Sequence, residues 1–138
     1  GLDFLLQHEE TRSTRIVLID FLLGGAICAN LLANSSNRDR IWCALFDGTF
    51  TSMADLVNWH AKSRQFEYLT KWLKFEFDSS NFVQNEFDSI KKIEQIQTPM
   101  LFMCAKNDET IPYEISLKLG EKAISSRRRE CEIFESSK

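Results

Sequence analysis

Histidine is nearly missing from this sequence, with two residues in all, and the four cysteines form no C-x-x-C pair. A zinc site is built from close pairs of those residue types, so no metal centre is expected. Cys28, Cys43, Cys104 and Cys131 each fall inside an apolar element, where a reduced thiol serves as a small core residue, and this fits a reducing compartment. No window reaches about 18 uninterrupted apolar residues, so no membrane span is expected. The first residues lack the basic, apolar and small-residue order of a signal peptide. Excess positive charge is also lacking: the formal net charge is −3. The basic run 127–129 has the composition of a solvated helix end, and nucleic acid is not an expected partner.

With 43% hydrophobic and 27% charged residues in 138, the chain has the composition of one folded domain rather than of a disordered segment. Its organising stretch is 15–34, RIVLIDFLLGGAICANLLAN. Residues 16–19 are apolar and three of the four are β-branched, which reads as a strand buried on both faces. From Gly24 the composition turns small and apolar, as in a buried helix. Gly24 and Gly25 let the start of that helix lie close to the sheet, because no Cβ intervenes. Strand, tight turn and helix in this order are the frame of the nucleophile elbow, G-x-S-x-G, in which a Ser sits on the turn and the next backbone N–H serves the oxyanion hole. Here the motif's positions read Asp20–Phe21–Leu22–Leu23–Gly24: Asp20 stands in place of the first Gly, and Leu22 in place of the Ser.

Three more apolar runs follow, at 41–46, 100–105 and 131–134, each reading as a strand. Around them, 2–7 has a helical apolar face, 34–37 (NSSN) is a stop, and 53–59 is helical, with Thr49 or Ser52 able to cap it. A cap-like, largely helical excursion covers 53–88 and is dense in aromatics between 66 and 87. Residues 88–96 read as a short helix or turn. Pro112 suits the first turn of a helix running to 123, and 125–129 reads as a loop. This order gives an α/β fold: one parallel sheet of four strands, in chain order, with helices on both faces.

Several segments together resemble the α/β-hydrolase superfamily, most closely the group of alpha/beta-hydrolase domain-containing protein 13 and its bud-emergence relatives. They are TRIVLIDFLLGGA at the elbow, 46–52 (FDGTFTS), the Ile-spaced lead through Pro99 into 100–102, 107–112 (NDETIP), and Ile133–Phe134. The resemblance covers nearly the whole chain and implies the carboxyl-terminal portion of a hydrolase domain, 1–138 being a partial domain. It implies that Asp108 is the acid that orients a catalytic His, that Leu22 holds the nucleophile position, and that Leu23 supplies an oxyanion N–H. Asp20, Gly24 and Gly25 then form the elbow scaffold. Ala105 replaces the family's usual Gly, and the family His and the early strands are expected outside this sequence. The lineage implies an acyl ester or thioester substrate, including the depalmitoylase type, with an acyl or lipid-like group. It implies no cofactor, and an intracellular, endomembrane-associated location through an amino-terminal anchor.

Other nucleophiles by residue type are Ser13, at the wrong end of the first strand, Cys43, expected buried in mid-strand, and Ser52, with no evident base; His60 is the only His near the cleft. Three readings of function remain: a catalytically inactive hydrolase-like protein, a portion of an active serine hydrolase, and a non-catalytic module that binds a ligand or partner.

Overall fold

A computed structural model of the chain describes residues 1–37, 39–61 and 87–135. The aromatic part of the expected cap, 62–86, lies outside the described residues. The elements are α1 (Leu2–Gln7), β1 (Ile16–Phe21), α2 (Gly24–Ala33), a 3-10 turn (Ser35–Asn37), β2 (Ile41–Asp47), α3 (Met53–Ala61), α4 (Ser89–Ile93), β3 (Met100–Ala105), α5 (Tyr113–Lys122) and β4 (Arg129–Phe134). The four strands form one sheet in the order β1-β2-β3-β4. All three pairings are parallel, with Asp20 opposite Phe46, Phe46 opposite Phe102 and Phe102 opposite Cys131. The four apolar runs are thus the four strands, in chain order.

One face of the sheet carries the core. Phe46 and Phe102 are fully buried, and their rings stack with centroids 4.9 Å apart. Cys28, Ala29 and Leu32 of α2, Ile93 of α4 and Leu119 of α5 pack over them. Helix α5 comes down closely because Gly120 has no side chain: a Cβ there would lie 2.5 Å from Cys131 Sγ.

The opposite face differs from expectation. Strand β1 alternates rather than being buried on both sides, with Ile19 75% and Phe21 62% exposed. Among the described residues, the helices that pack on the sheet, α2 and α5, lie on the core face. Helices on both faces are therefore not found among them. The apolar composition of 16–19 reports a strand, but it cannot report which side receives a covering layer. Strand β4 also starts at Arg129, within the expected loop, because backbone pairing with Met100 extends the ladder at an exposed edge that tolerates charge. Pro112 is the residue before the first turn of α5 rather than within it.

Exposed apolar rows of this kind bind hydrophobic dyes. The chain should enhance 8-anilinonaphthalene-1-sulfonate fluorescence, and Ile19→Lys should reduce that signal while changing stability by less than about 0.5 kcal/mol. Equal dye binding by the parent and the variant would place the exposed surface elsewhere.

Candidate functional site

The carboxyl ends of the strands meet at the elbow. Leu22 directly follows β1 with φ of +53°, and it is the one non-glycine residue with positive φ among the described residues. A leucine in this conformation costs about 1–2 kcal/mol, so the neighbours must impose it. Leu22 N–H donates to the Asp47 carbonyl at 3.2 Å, which ties the turn to the end of β2. The Leu22 carbonyl accepts from Gly25 N–H at 3.2 Å and from the Thr49 hydroxyl at 3.3 Å. Its side chain packs against a cluster of Ala26, Phe50 and Ile111. Leu23 is the N-cap of α2 and 43% exposed. Its N–H lies at the amino end of the helix, where backbone donors lack intrahelical partners.

The two glycines divide their expected task unequally. A Cβ on Gly25 would fall 1.9 Å from Thr49 Oγ1, whereas one on Gly24 would make an ordinary 3.4 Å contact with Asp20 Cβ. Close approach of helix to sheet therefore depends on Gly25 alone.

Asp20 lies beneath the elbow, 9% exposed, and neither carboxylate oxygen has a full hydrogen bond. Burial raises its pKa to about 7; the nearby Cys28 thiol, a weak donor, lowers it somewhat, and the charge of Asp47 raises it. Burial likewise pushes the Cys28 thiol far above its ordinary value and the Cys104 thiol up to about 11. Both are inert core thiols. All four cysteines are free. Cys43 is half-buried rather than buried, because it lies on the uncovered side of β2 with Val17 opposite.

Asp108 follows β3. Its Oδ1 accepts from Thr110 N–H at 2.7 Å and from Ile111 N–H at 2.9 Å, so the loop is wound around the carboxylate. Gly48, with φ of +55°, lies beneath it: a Cβ there would stand 3.3 Å from Asp108 Oδ2. The exit of β2 thus lies against the acid loop. His60, on α3, reaches the same loop, with Nε2 2.9 Å from the Thr110 carbonyl; that nitrogen carries the proton and donates it. Ser52 is a helix cap, its hydroxyl oxygen accepting from Asp55 N–H at 3.0 Å. Ser13 sits in the turn before β1, at the opposite end of the strands.

The structure thus brings Asp20, Leu22, Gly25, Asp47 and Thr49 together, with Gly48 joining this group to Asp108. Sequence reasoning treated Thr49 only as a possible helix cap. It is 1% exposed, and its carbonyl accepts from the Ser116 hydroxyl of α5. A Thr directly after an Asp-Gly turn was the available signal. Among the described residues no group of three or more His, Cys, Asp or Glu is placed to hold a metal ion, and no helix is long and apolar enough to cross a membrane.

A parallel sheet whose edge strand turns through a positive-φ residue into a small-residue helix, with an acid-bearing loop after the third strand, is part of an α/β-hydrolase fold. The chain is related to that superfamily. It is 28% identical over 98% of its length to the alpha/beta hydrolase domain-containing protein WAV2 of Arabidopsis thaliana, of which the match covers 43%. It is 31% identical over 81% of its length to the protein bem46 of Schizosaccharomyces pombe, of which the match covers 33%. The chain therefore spans less than half the length of these curated relatives. No family model matches it. In fold it is similar to an esterase of Pyrococcus furiosus, with a TM-score of 0.68 and 17% identity, covering 99% of this chain and 50% of that one. It is also similar to the acylaminoacyl peptidase of Pyrococcus horikoshii, with a TM-score of 0.72 and 16% identity, covering 99% of this chain and 22% of that one. At these identities the likeness is one of fold.

Two substitutions test the geometry. Gly25→Ala should destabilise the chain by about 3 kcal/mol or prevent folding, since Thr49 is fixed on both sides, while Gly24→Ala should cost less than about 1 kcal/mol. Denaturant unfolding of the pair decides; equal effects would remove the clamp. For Asp20, the folded pKa of about 7 lies above the ordinary value of 3.8. The native state then holds a proton that the unfolded chain has released, so stability falls as pH rises from 3.8 to 7 and levels off above. The gain in melting temperature of Asp20→Asn over the parent should be small near pH 4 and largest above pH 7, as scanning calorimetry across that range would show. A constant difference would mean that Asp20 is ionised throughout.

Proposed function

We propose that this chain is the elbow-bearing portion of an α/β-hydrolase-like protein of serine-hydrolase lineage, in which the acyl-transfer site no longer works because Leu22 occupies the nucleophile position. The observation that carries this reading is Leu22 itself. It holds the positive-φ turn between strand and helix, yet its side chain packs among Ala26, Phe50 and Ile111. A hydrocarbon side chain has no proton to give up and no lone pair with which to attack a carbonyl. In this reading Leu23 N–H is an oxyanion donor, Asp20, Gly24 and Gly25 form the scaffold, and Asp108 is the acid of the old triad. The substrate class of the lineage is an acyl ester or thioester, including the fatty-acyl thioesters of proteins.

Asp108 supports its own loop through backbone amides, and the His60 Nε2 proton is committed to the Thr110 carbonyl. In this reading a hydroxyl placed at position 22 would still lack the acid-oriented base that a triad needs. Triad residues act as a unit: loss of the Ser or His alone costs on the order of 10⁶ in rate.

The test is labelling by a fluorophosphonate probe together with turnover of a short-chain p-nitrophenyl ester, for the parent and for Leu22→Ser. Neither should label stoichiometrically or turn over above background. Stoichiometric labelling of the parent, abolished by changing one Ser to Ala, would overturn the reading. Turnover by Leu22→Ser at enzymatic rates would show that a base is already in place.

A further inference from the structure

The amino ends of the strands, opposite the elbow, border a half-open cavity of about 320 Å³ lined by Thr14, Arg15, Asp39, Arg40, Ile41, Trp42, Thr98, Pro99 and Arg127. Three arginines and one aspartate are among the residues that line this space, in a chain whose net charge is −3. Positive charge is therefore concentrated where the composition as a whole gives no reason for it.

The three arginines come from separate segments, and each is held differently. Arg15, just before β1, lays its guanidinium over the Trp42 ring, 4.8 Å from the centroid, and makes no ion pair with a described residue. Stacking fixes the plane of a guanidinium while leaving its N–H edge available for an oxyanion. Arg127 is anchored by its backbone N–H on the Gln97 carbonyl at 3.0 Å, and its side chain approaches Asp39 only at 3.9 Å. Arg40 pairs with Asp3 at 3.3 Å, but Asp3 is 84% exposed and the pair is a solvated one. Ile41, Trp42 and Pro99 give the cavity an apolar wall beside these charges.

We propose that this cavity is a binding site for a small phosphate monoester, with its phosphate among Arg15, Arg40 and Arg127 and its apolar body against Trp42 and Pro99. Guanidinium groups match phosphate oxygens two at a time, which a single surface charge does not. Asp39 opposes the anion and restricts the site to ligands whose charge engages more than one arginine. The site lies at the end of the sheet away from Leu22 and is independent of the elbow's chemistry.

The experiment is calorimetric titration of the full chain with phenyl phosphate and with inorganic phosphate, at ionic strength held constant with potassium chloride. Phenyl phosphate should bind saturably and more tightly than inorganic phosphate. Arg15→Gln and Arg127→Gln should each weaken it by about tenfold or more, with unchanged far-ultraviolet circular dichroism. If Arg15→Gln fails to fold, Arg127→Gln carries the test, since its side chain is 65% exposed. Leu22→Ser should bind as the parent does. Absence of saturable binding, or undiminished binding in a folded Arg127→Gln, would overturn the site. Equal affinity for the two phosphates would overturn the role of the apolar wall.

Discussion

Gly25 and Thr49 touch with no room for another carbon between them, and most of the site's geometry depends on that contact. It holds the first turn of α2 against the residue that leaves β2. The Thr49 hydroxyl then reaches the Leu22 carbonyl, and the Thr49 carbonyl takes the Ser116 hydroxyl from α5. One buried threonine thus links the turn after β1, the exit of β2 and the last helix. Gly48, directly before it, carries the linkage to the Asp108 loop. Glycine holds positions 25 and 48 because the side chains of Thr49 and Asp108 stand close to where a Cβ would lie.

Two unfavourable features sit against this contact. Leu22 is held at positive φ, and Asp20 is buried without a full hydrogen bond. Each costs on the order of 1–3 kcal/mol. They persist because the surrounding ladder and helix leave no alternative path from Asp20 to Gly25. A local conformation of this kind belongs to its neighbours more than to the residue that adopts it, and a leucine can be held in the turn of an elbow without any chemical reason to be there.

The sequence made some of this legible and hid the rest. Apolar runs between turn-forming residues marked four strands and their order, since right-handed parallel crossovers leave few arrangements. The small residues after Gly24 marked a helix buried on the sheet. The backbone angle of Leu22 was hidden because leucine, unlike glycine or asparagine, gives no sign of φ above zero. The uncovered side of β1 was hidden because Val17 and Ile19 look the same whether a layer lies over them or not. Ser52 could be read as a cap, as it is, but the engagement of His60 with the Thr110 carbonyl joins residues far apart in sequence that no local pattern connects.

The sheet's connectivity also makes its closures unequal in entropic cost. Ile16 pairs with Ile41 and Met100 with Arg129 across moderate separations, while the central pairing joins Ala44 to Met100 across a much longer stretch of chain. Closing a loop costs more entropy as it lengthens, and parallel ladders recover that cost only once the strands have met. The β1–α2–β2 unit therefore has the shorter path to assembly. The clamp at Gly25 and the strained turn at Leu22 lie within it, whereas the Asp108 loop belongs to the β3–α5–β4 unit, which joins it only through the long central closure.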